Sequence, residues 1–549
     1  HARKLMGVKP ESLIGRFACQ ALHYTRPLER DSLVGIGGYP SPWDPFSYLA
    51  LAGLLDGDAK LLRHAARWML SVASCEYWSN DFAGELAGTR FHHAAFTEAH
   101  VTEWMALALD WAGSALTEEG QAVVRDAISR RGLPHVQHVF AESEYIRSMN
   151  QGIAFNTGRI LGLLALRHAW PRVEVRLREA RDDAWEMFDK TFTRDGGSVE
   201  GPAYWLYTLQ VGLLGILALA RHDGRRPADL VPRKMRRAPS SPFAFASTAN
   251  PGMSLPIADN HGGAICSGGL AAMFTRVFPG KASNRLAAWA LRQPALYGGV
   301  AQAIIFGPTR VQKITSLVPE FLVQKKTGHL VVCRNLPGVG RVRLQLYGAP
   351  GGSGSHSHDD RGNILLEAGG EGVLVDRGIG NYNNPRMLVK RPEAHNVCVP
   401  AMPDGSVPRQ SLDHPNDIVP RAAYRRGVLR AVIETTAAWP RHVKACRRRV
   451  FSPSPGVFEI ADELELTRSL PATFHLHTPF AMQREGKTFV LKGKRVRVLV
   501  QPEWRPAKVI WGEEDMGIGV QGRSYGHLQL LAAPARKHRL ITRITVMGR

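Results

Sequence analysis

Two histidines, His356 and His358, stand one residue apart in the segment GGSGSHSHDDRGN, between small flexible residues and a run of two acids and an arginine. In an extended chain both side chains project to the same side, because side chains alternate between the two faces of a strand. Imidazole binds zinc and also transfers protons near neutral pH. The pair therefore predicts metal binding or acid–base chemistry, with a hydrogen-bonded turn as the alternative.

Two later residues extend the histidine pair into a candidate metal site. Asp376 ends the apolar stretch EGVLVD, where a carboxylate is costly to bury without a partner, and His395 in EAHNVCVP precedes another apolar stretch. Together with His358 they would supply two imidazoles and one carboxylate from the edges of neighbouring strands, and zinc accepts both ligand types. From the spacing alone, ordinary hydrogen-bonded side chains remain the alternative.

Two further polar clusters lie in the N-terminal half of the chain. In SMNQGIAFNTG, Asn150 opens a predicted helix, and a helix cap is the simplest role for it. In RDGGSVEGPAYWLYTLQ, a glycine-rich turn and an acid precede Tyr204, Trp205 and Tyr207. Aromatic rings beside polar groups suit a carbohydrate-binding surface, since such rings present large apolar faces with a polar edge. Ordinary packing at a helix start is the alternative.

The elements that must position these residues change character along the chain. In the first three hundred residues, stretches such as DAKLLRHAARWMLSVAS repeat apolar residues every three or four positions, which predicts stacked amphipathic helices in a solenoid or a closed toroid. Further on, RVRLQLY alternates strictly and sets Val342, Leu344 and Leu346 on one face. We therefore predict a helical domain over residues 1–314 and an antiparallel β-sandwich over residues 315–549.

The charge of the chain indicates the class of its partner. Lysine and arginine number 70 against 48 acids, which gives a net charge of +22 and predicts attraction to polyanions in general. The sequence has no RNP-like strand, C2H2 spacing or long basic arm, so nucleic acid is not predicted. Its longest apolar run, VGLLGILALA, is far too short to span a membrane. Charge alone does not choose between anionic lipid and acidic polysaccharide, and no segment indicates the oligomeric state.

The motifs together resemble the signature of the heparinase II/III-like polysaccharide lyases. HSHDDRGNILLEAGGEGVLVDRG followed by RPEAHNV is similar to its His-x-His-x-Asp start, its strand ending in Asp-x-Gly and its Ala-His-Asn. MNQGIAFNTG and DGGSVEGPAYW are similar to the two helical motifs of the family, in the expected order. The resemblance spans roughly residues 60–400. It implies an (α/α) toroid followed by an antiparallel β-sandwich, in agreement with the change of period.

The resemblance also implies a reaction and three catalytic residues. Such lyases cut uronic-acid polymers by β-elimination: a base removes the C5 proton, the C4 glycosidic oxygen departs, and a 4,5-unsaturated uronate remains. Asn150 matches the residue that binds the substrate carboxylate. Tyr204 matches the catalytic tyrosine, and His356 matches a histidine that reaches the same site from the sandwich.

The remaining implied assignments concern metal and substrate. His358, Asp376 and His395 match the family's zinc shell, and we expect that zinc to be structural and to fix the loop that carries His356. Several relatives have a histidine directly after the motif asparagine, where this chain has an amide that cannot titrate, so we expect Tyr204 to take the proton. The expected substrate contacts are Gln151, Glu200, Trp205, Tyr382 and Arg386.

The expected substrate follows from the net charge of the chain and from the class of lyase that it resembles. The charge of +22 favours a glycosaminoglycan such as heparan sulfate, chondroitin sulfate or hyaluronan, and alginate remains an alternative. Two other readings of the sequence are a toroid glycoside hydrolase that uses Asp195 and Glu200 as acid and base, and a polyanion-binding protein without activity. From the substrate class we expect a periplasmic or secreted protein.

Overall fold

The helices of the N-terminal half precede all of the strands. The computed structural model describes residues 2–7, 44–75, 78, 95–260, 262–293, 299–308, 310, 314, 316–352, 356–379, 388–514 and 525–549. Its α-helices are α1 Ala2–Leu5, α2 Asp44–Asp56, α3 Ala59–Ala73, α4 Phe96–Ala112, α5 Glu118–Ala127, α6 Leu133–Glu142, α7 Asn150–Leu166, α8 Val173–Thr191, α9 Pro202–Asp223, α10 Gly268–Val277, α11 Lys281–Ala290 and α12 Val300–Phe306.

A glycine lets two helices approach closely and so positions one end of the helical domain. A Cβ atom on Gly158, in α7, would lie 2.4 Å from the carbonyl oxygen of Ala99 in α4, a distance that no real side chain tolerates. The two backbones therefore pack in direct contact at this point. This crossing sets the middle of α7, the helix that begins at Asn150, beside the first turn of α4.

The strands of the C-terminal half form two antiparallel sheets. They are β1 Phe321–Gln324, β2 His329–Leu336, β3 Gly340–Tyr347, β4 Ile364–Ala368, β5 Glu371–Leu374, β6 Cys398–Pro400, β7 Arg421–Arg425, β8 Val428–Glu434, β9 Val443–Ser454, β10 Val457–Thr478, β11 Ala481–Glu485, β12 Thr488–Lys492, β13 Val496–Pro502, β14 Lys508–Glu514 and β15 Tyr525–Gly548. One sheet has the order β1-β2-β3-β4-β5. The other has the order β11-β12-β13-β15-β10-β9-β8-β7, with β14 paired to β15 and β6 to β10.

The five-stranded sheet contributes to two hydrophobic cores. Its inner face, which includes Val342, Leu344 and Leu346, packs inside the sandwich as the alternation in RVRLQLY predicted. Its other face is buried as well, because Val331 and Tyr347 join the core of the helical domain. The sheet therefore ties the helical half to the sandwich half through buried side chains.

The chain is thus an (α/α) toroid followed by an antiparallel β-sandwich, the predicted fold class. The last described α-helix ends at Phe306 and β1 begins at Phe321. The exact domain limits, 1–314 and 315–549, stay a prediction. Among the described residues, α9 is the one helix long and apolar enough to cross a membrane, and 61% of its apolar window is buried inside the fold. Such burial is also typical of a core helix in a globular domain.

Candidate active site

The three predicted catalytic residues come from three separate elements. Asn150 is the first residue of α7, Tyr204 lies in the first turn of α9, and His356 lies in the connection between β3 and β4. Gly201, with φ 90°, makes the sharp turn before α9, and Pro202 is its first helical residue. Glycine and proline favour these two positions because one accepts a positive φ and the other needs no N–H partner there. The turn sets Glu200 and Tyr204 close together at the helix start.

The helical half and the sandwich half meet where Tyr204 contacts His356. The phenol and imidazole rings stack, with centroids 3.6 Å apart and planes inclined by 17°. His356 keeps 18% of its side chain exposed, so the pair is accessible from solvent. A residue of the helical domain and a loop of the sandwich are therefore in direct contact at a solvent-accessible position.

Glu200 connects Asn150 to the same pair of rings. Its carboxylate accepts the backbone N–H of Asn150 at 2.7 Å and the side-chain N–H of Asn150 at 2.9 Å. The Nε2 atom of His356 lies 3.5 Å from Oε1 of Glu200. Burial raises the pKa of Glu200, although the charge of His356 and the hydrogen bonds from Asn150 oppose this shift. Asn150, Tyr204 and His356 are thus brought together around one buried acid.

Asp259, which sequence reasoning missed, joins the two histidines of the opening motif. Its carboxylate accepts Nδ1–H of His356 and Nε2–H of His358, each at 2.8 Å, and also the ammonium of Lys390 at 2.9 Å. Burial would raise the pKa of Asp259, but the hydrogen bonds from the two histidines and the charges of His358 and Lys390 hold this pKa well below its ordinary value. The carboxylate therefore stays ionised and fixes both rings.

The backbone around Asp259 is unusual and is tied to the histidine loop. Ala258, directly before it, has φ 55°, a left-handed conformation that is strained for a residue with a side chain. The backbone N–H of Asp259 donates to the carbonyl of His356 at 3.1 Å. The segment PIADNHGG has neither a helical nor a strand period, so no sequence signal distinguished Asp259 from an ordinary loop acid.

The predicted metal ligands also come together. Ligand atoms of His358, Asp376 and His395 all lie within 4.8 Å of one another, and all three residues are buried. Asp376 accepts Nδ1–H of His395 at 2.8 Å, and its other oxygen accepts the backbone N–H of Gly378 at 2.9 Å. Burial disfavours charge on both partners, but their mutual attraction lowers the pKa of Asp376 and raises the pKa of His395.

The donor atoms of this triad fit a divalent metal ion. The Nδ1 atom of His358 and the Nε2 atom of His395 are buried without a hydrogen-bond partner among the described residues. Buried polar atoms of this kind are normally satisfied, and a metal ion would satisfy both. Asp259 on the far nitrogen of His358 fixes which nitrogen is free to ligate, as outer partners of metal-binding histidines commonly do. His358, Asp376 and His395 are therefore a candidate metal centre.

The predicted substrate contacts divide into three groups. Gln151 is half-buried at the rim of the site and accepts the hydroxyl of Tyr145 at 2.8 Å, and Glu200 lies within the cluster described above. Tyr382 and Arg386 lie outside the described residues. These positions keep their predicted roles as predictions.

Trp205 requires a correction. Its side chain is fully buried, packs against Phe245 and Phe274, and donates its indole N–H to the carbonyl of Gly196 at 2.9 Å. The prediction that it contacts substrate was wrong, because the first turn of α9 directs position 205 into the helical core and position 204 towards His356. The indole N–H is satisfied inside the protein, as buried tryptophans require.

Comparison with known proteins agrees with this fold. Residues 325–524 match the family model of the heparinase II/III-like C-terminal domain. No curated protein matches the chain. A solved heparinase III has a TM-score of 0.67 at 11% identity, covering 99% of this chain and 86% of its own. A mutant heparan sulfate lyase from Pedobacter heparinus has a TM-score of 0.64 at 11% identity, covering 99% and 84%.

A chondroitin AC lyase from Streptomyces coelicolor, solved with chondroitin sulphate, has a TM-score of 0.53 at 11% identity, covering 99% of this chain and 79% of its own. At these identities the solved structures establish a shared fold over nearly the whole chain. The fold and the matched C-terminal domain define a polysaccharide lyase of the toroid-and-sandwich type. Residues 325–524 thus carry a heparinase II/III-like C-terminal domain, and the whole chain shares the fold of the solved heparinase III.

Proposed function

We propose that the chain cleaves a uronic-acid-containing glycosaminoglycan by β-elimination and leaves 4,5-unsaturated uronate ends. One observation carries this proposal: Asn150, Glu200, His356 and Tyr204 form a continuous set of contacts from the amide to the phenol. β-Elimination needs a group that binds the uronate carboxylate and a base that reaches C5 in the same cavity. The contact set supplies both.

The first requirement is to neutralise the carboxylate of the substrate. The C5 proton is barely acidic while that carboxylate keeps its full charge, so donors must stabilise the charge that develops in the transition state. The side-chain amide of Asn150 is such a donor. Glu200, whose pKa is raised by burial, holds that amide in place through two hydrogen bonds.

The second requirement is a base and an acid for the two bonds that change. The phenolate of Tyr204 takes the proton from C5, and the electron pair of the C5–H bond forms the C4=C5 double bond as the C4–O bond breaks. The resulting phenol gives its proton to the departing C4 oxygen. An ordinary phenol has a pKa of about 10 and is a poor base in water. His356, stacked on the ring and held by Asp259, and the nearby Lys390 would favour the phenolate when they carry positive charge.

We infer that the metal at His358, Asp376 and His395 is zinc, because two imidazoles and one carboxylate suit this ion. Bound there, zinc would supply structural cross-linking of the loop that carries His356. Asp259 would link this metal site to the catalytic histidine, because one of its oxygens accepts a hydrogen bond from His358 and the other accepts one from His356. Each step of the elimination is carried out by Asn150, Glu200, Tyr204 and His356.

The class of substrate follows from charge and from the named relatives. The net charge of +22 suits a densely anionic polymer. The solved relatives are described as a heparan sulfate lyase and a chondroitin AC lyase, so we favour a glycosaminoglycan and keep alginate as the alternative. We also propose that the protein acts in the periplasm or outside the cell, where such polymers occur.

The contacts of Asp195 favour elimination over hydrolysis. Its carboxylate accepts the backbone N–H groups of Lys326 and Thr327 in the turn between β1 and β2, the latter at 3.1 Å. Glu200 instead binds Asn150. The two carboxylates that a toroid hydrolase would need are therefore engaged with different partners.

An ultraviolet absorbance assay tests the proposal. The protein is incubated separately with heparan sulfate, chondroitin sulfate, hyaluronan and alginate, and the absorbance of the unsaturated uronate is followed. We expect a steady increase with at least one glycosaminoglycan. New reducing ends without this chromophore would indicate a hydrolase, and binding without any product would indicate a non-catalytic polyanion-binding protein.

A further inference from the structure

Three exposed arginines lie together at one edge of the ten-stranded sheet, which β7 forms. Leu429 belongs to the sandwich core, so the side chain of the next residue in β8, Arg430, points to the outer face of the sheet. Ala423 in β7 lies directly opposite Arg430. The arginines two positions before and after Ala423, which are Arg421 and Arg425, therefore share that outer face.

The turn of this hairpin exposes a fourth arginine in a strained conformation. Arg425 ends β7 and Val428 begins β8, so Arg426 and Gly427 form a two-residue turn. Both have a positive φ, 49° and 79°. Such turns favour asparagine followed by glycine, because a larger side chain is strained at the first position. Retained strain of this kind commonly marks a functional position. We call Arg421, Arg425, Arg426 and Arg430 the arginine cluster.

Among the described residues, no carboxylate lies within ion-pair distance of the arginine cluster, whereas neighbouring arginines on the same outer face are paired. Glu434, the only acid in β7 and β8, pairs with Arg447 of β9. Arg449 of β9 lies 3.3 Å from Glu463 of β10. The positive charge at the edge of the sheet is therefore available to an anion from outside the chain.

Protection of the sheet edge does not explain this pattern by itself. Charged side chains on an edge strand prevent it from pairing with another chain. That role is served by charges of either sign, and mixed signs avoid repulsion between neighbours. On one face of a strand pair, diagonal neighbours such as Arg421 and Arg430 are only about 7–8 Å apart, so their like charges repel each other. A partner that brings several negative charges would relieve that repulsion.

The geometry of the arginine cluster suits a linear polyanion. Arg421 and Arg425 are about 13 Å apart along β7, and Arg430 lies between them on the next strand. Arg426 continues the row at the turn. Each guanidinium can bind a sulfate or carboxylate group through two hydrogen bonds. The guanidinium of Arg430 is also held over the ring of Phe451, 5.0 Å from its centroid. A single small anion would occupy at most part of this row.

We propose that the arginine cluster is a second binding site for anionic polysaccharide, which takes the sulfate or carboxylate groups of a long polymer outside the catalytic residues. Ile418, just before β7, pairs with Ala349, which lies in the same β3–β4 connection as His356. The strand that carries the cluster therefore starts at the connection that carries the catalytic histidine. A polymer held at the cluster stays at high local concentration near the active site. The inference rests on the proposed function for the identity of the polymer and adds to it a second point of contact.

Polymer and oligosaccharide are compared in a variant that carries Arg421→Gln, Arg425→Gln, Arg426→Gln and Arg430→Gln. The dissociation constant is measured for whichever of heparan sulfate and chondroitin sulfate binds more tightly. We expect it to rise about tenfold or more, because four charge-assisted contacts are lost. KM for the cleaved polymer should rise similarly. kcat, and kcat/KM for a tetrasaccharide of the same polymer, should stay unchanged, since a tetrasaccharide offers few groups beyond the reacting sugar. Calorimetry and ultraviolet absorbance measure these quantities.

Arg426→Asn alone separates binding from folding. Asparagine tolerates a positive φ better than arginine does, so we expect this variant to melt at a higher temperature than the wild type. Its affinity for the polymer should nevertheless fall by about twofold or more, because one contact is lost. This variant still decides if the fourfold variant does not fold, since an unchanged affinity in it would overturn the assignment.

A matched control removes four exposed arginines of the helical domain. Arg63→Gln, Arg172→Gln, Arg178→Gln and Arg221→Gln together lower the net charge by as much as the cluster variant does. We expect the dissociation constant of the control to differ from that of the wild type by less than about twofold, because long-range attraction is screened at about 150 mM NaCl.

The outcomes separate the two proposals. An unchanged affinity in the fourfold variant, or an equal loss in the control, overturns the arginine cluster as a polysaccharide site. So does a fourfold variant that loses affinity for duplex DNA and keeps its affinity for the polysaccharide. A wild type that forms no unsaturated ends from any polymer, while the fourfold variant binds polymer more weakly, overturns the proposed lyase activity and leaves the binding site standing.

Discussion

At the scale of single residues, Asp259 connects the two histidines of the opening motif, His356 at the candidate active site and His358 in the metal triad. One carboxylate oxygen holds the histidine that faces Tyr204 and the other holds the histidine of the metal triad. We expect Asp259→Asn to lower both kcat and metal content by about 10- to 100-fold, because an amide cannot accept both N–H groups with the strength of a carboxylate. Turnover and elemental analysis of the purified protein measure the two effects.

Asp229→Asn is a suitable control for that substitution. Asp229 is a surface acid that pairs with Arg226, and removing its charge should change neither kcat nor the metal content. If Asp259→Asn kept full metal content and full turnover, Asp259 would not be the link between the two sites.

Tyr204→Phe tests the proposed base. The stacked ring remains, so we expect normal folding, whereas kcat should fall by about 10²- to 10⁴-fold because the proton acceptor is lost. Initial rates by ultraviolet absorbance and melting temperatures are the measurements. Tyr424→Phe removes a phenol that donates to Glu320 on the surface of the sandwich and should keep full activity. Comparable activity in Tyr204→Phe would rule out this base.

Sequence reasoning found most of the residues in this site and missed others for a physical reason. Asn150, Tyr204 and His356 were found because each lies in a motif with distinctive residue types. Trp205 was assigned wrongly because the neighbouring positions of a helix start point to different sides, and composition alone does not say which side is buried. Asp259 gave no signal, since its importance comes from contacts with residues about a hundred positions away.

At the scale of elements, the metal triad holds the connection between β3 and β4 against the strands that follow it. We expect His358→Ala to lower the zinc content and the melting temperature markedly, while the affinity for polymer changes little, because the side chain of His358 is buried and not exposed to a bound polymer. Metal analysis, thermal unfolding and polymer binding are the measurements.

His538→Ala provides the matched control for that variant. His538 is also a mostly buried histidine of the sandwich, but it donates to the carbonyl of Leu470 and is not among the metal-triad residues. It should lose stability without losing metal. Stoichiometric zinc in His358→Ala would contradict the assigned ligands.

The types and order of the elements could be predicted, whereas their contacts could not. The change of hydrophobic period gave helices first and strands second, and the alternation in RVRLQLY gave the correct inner face. The same alternation gave no hint that Arg343 and Gln345, on the opposite face, are fully buried beneath the helical domain. Polar residues in alternation normally indicate a solvated face, and tertiary packing overrides that rule here.

At the scale of the whole molecule, the net charge of +22 should govern the encounter with the polymer. We expect KM for a glycosaminoglycan to rise about tenfold or more between about 50 and 500 mM NaCl, with kcat changing little, because salt screens long-range attraction more than contacts in a closed site. Steady-state kinetics at several ionic strengths measure this effect. A KM independent of salt would mean that local contacts alone determine binding.

The sheet that faces two cores limits how this chain can be divided. If the sandwich were produced alone, the helical core would no longer cover the side chains of Val331, Tyr347 and Leu365. They would then form an exposed apolar patch that promotes aggregation. The guanidinium of Arg343 would lose one of its acceptors, the carbonyl of Ala244, and keep the side chain of Gln345. Anyone trimming this protein for crystallisation or for fusion to another catalyst should therefore expect aggregation from a cut placed between its halves, however clean that cut looks in the order of helices and strands.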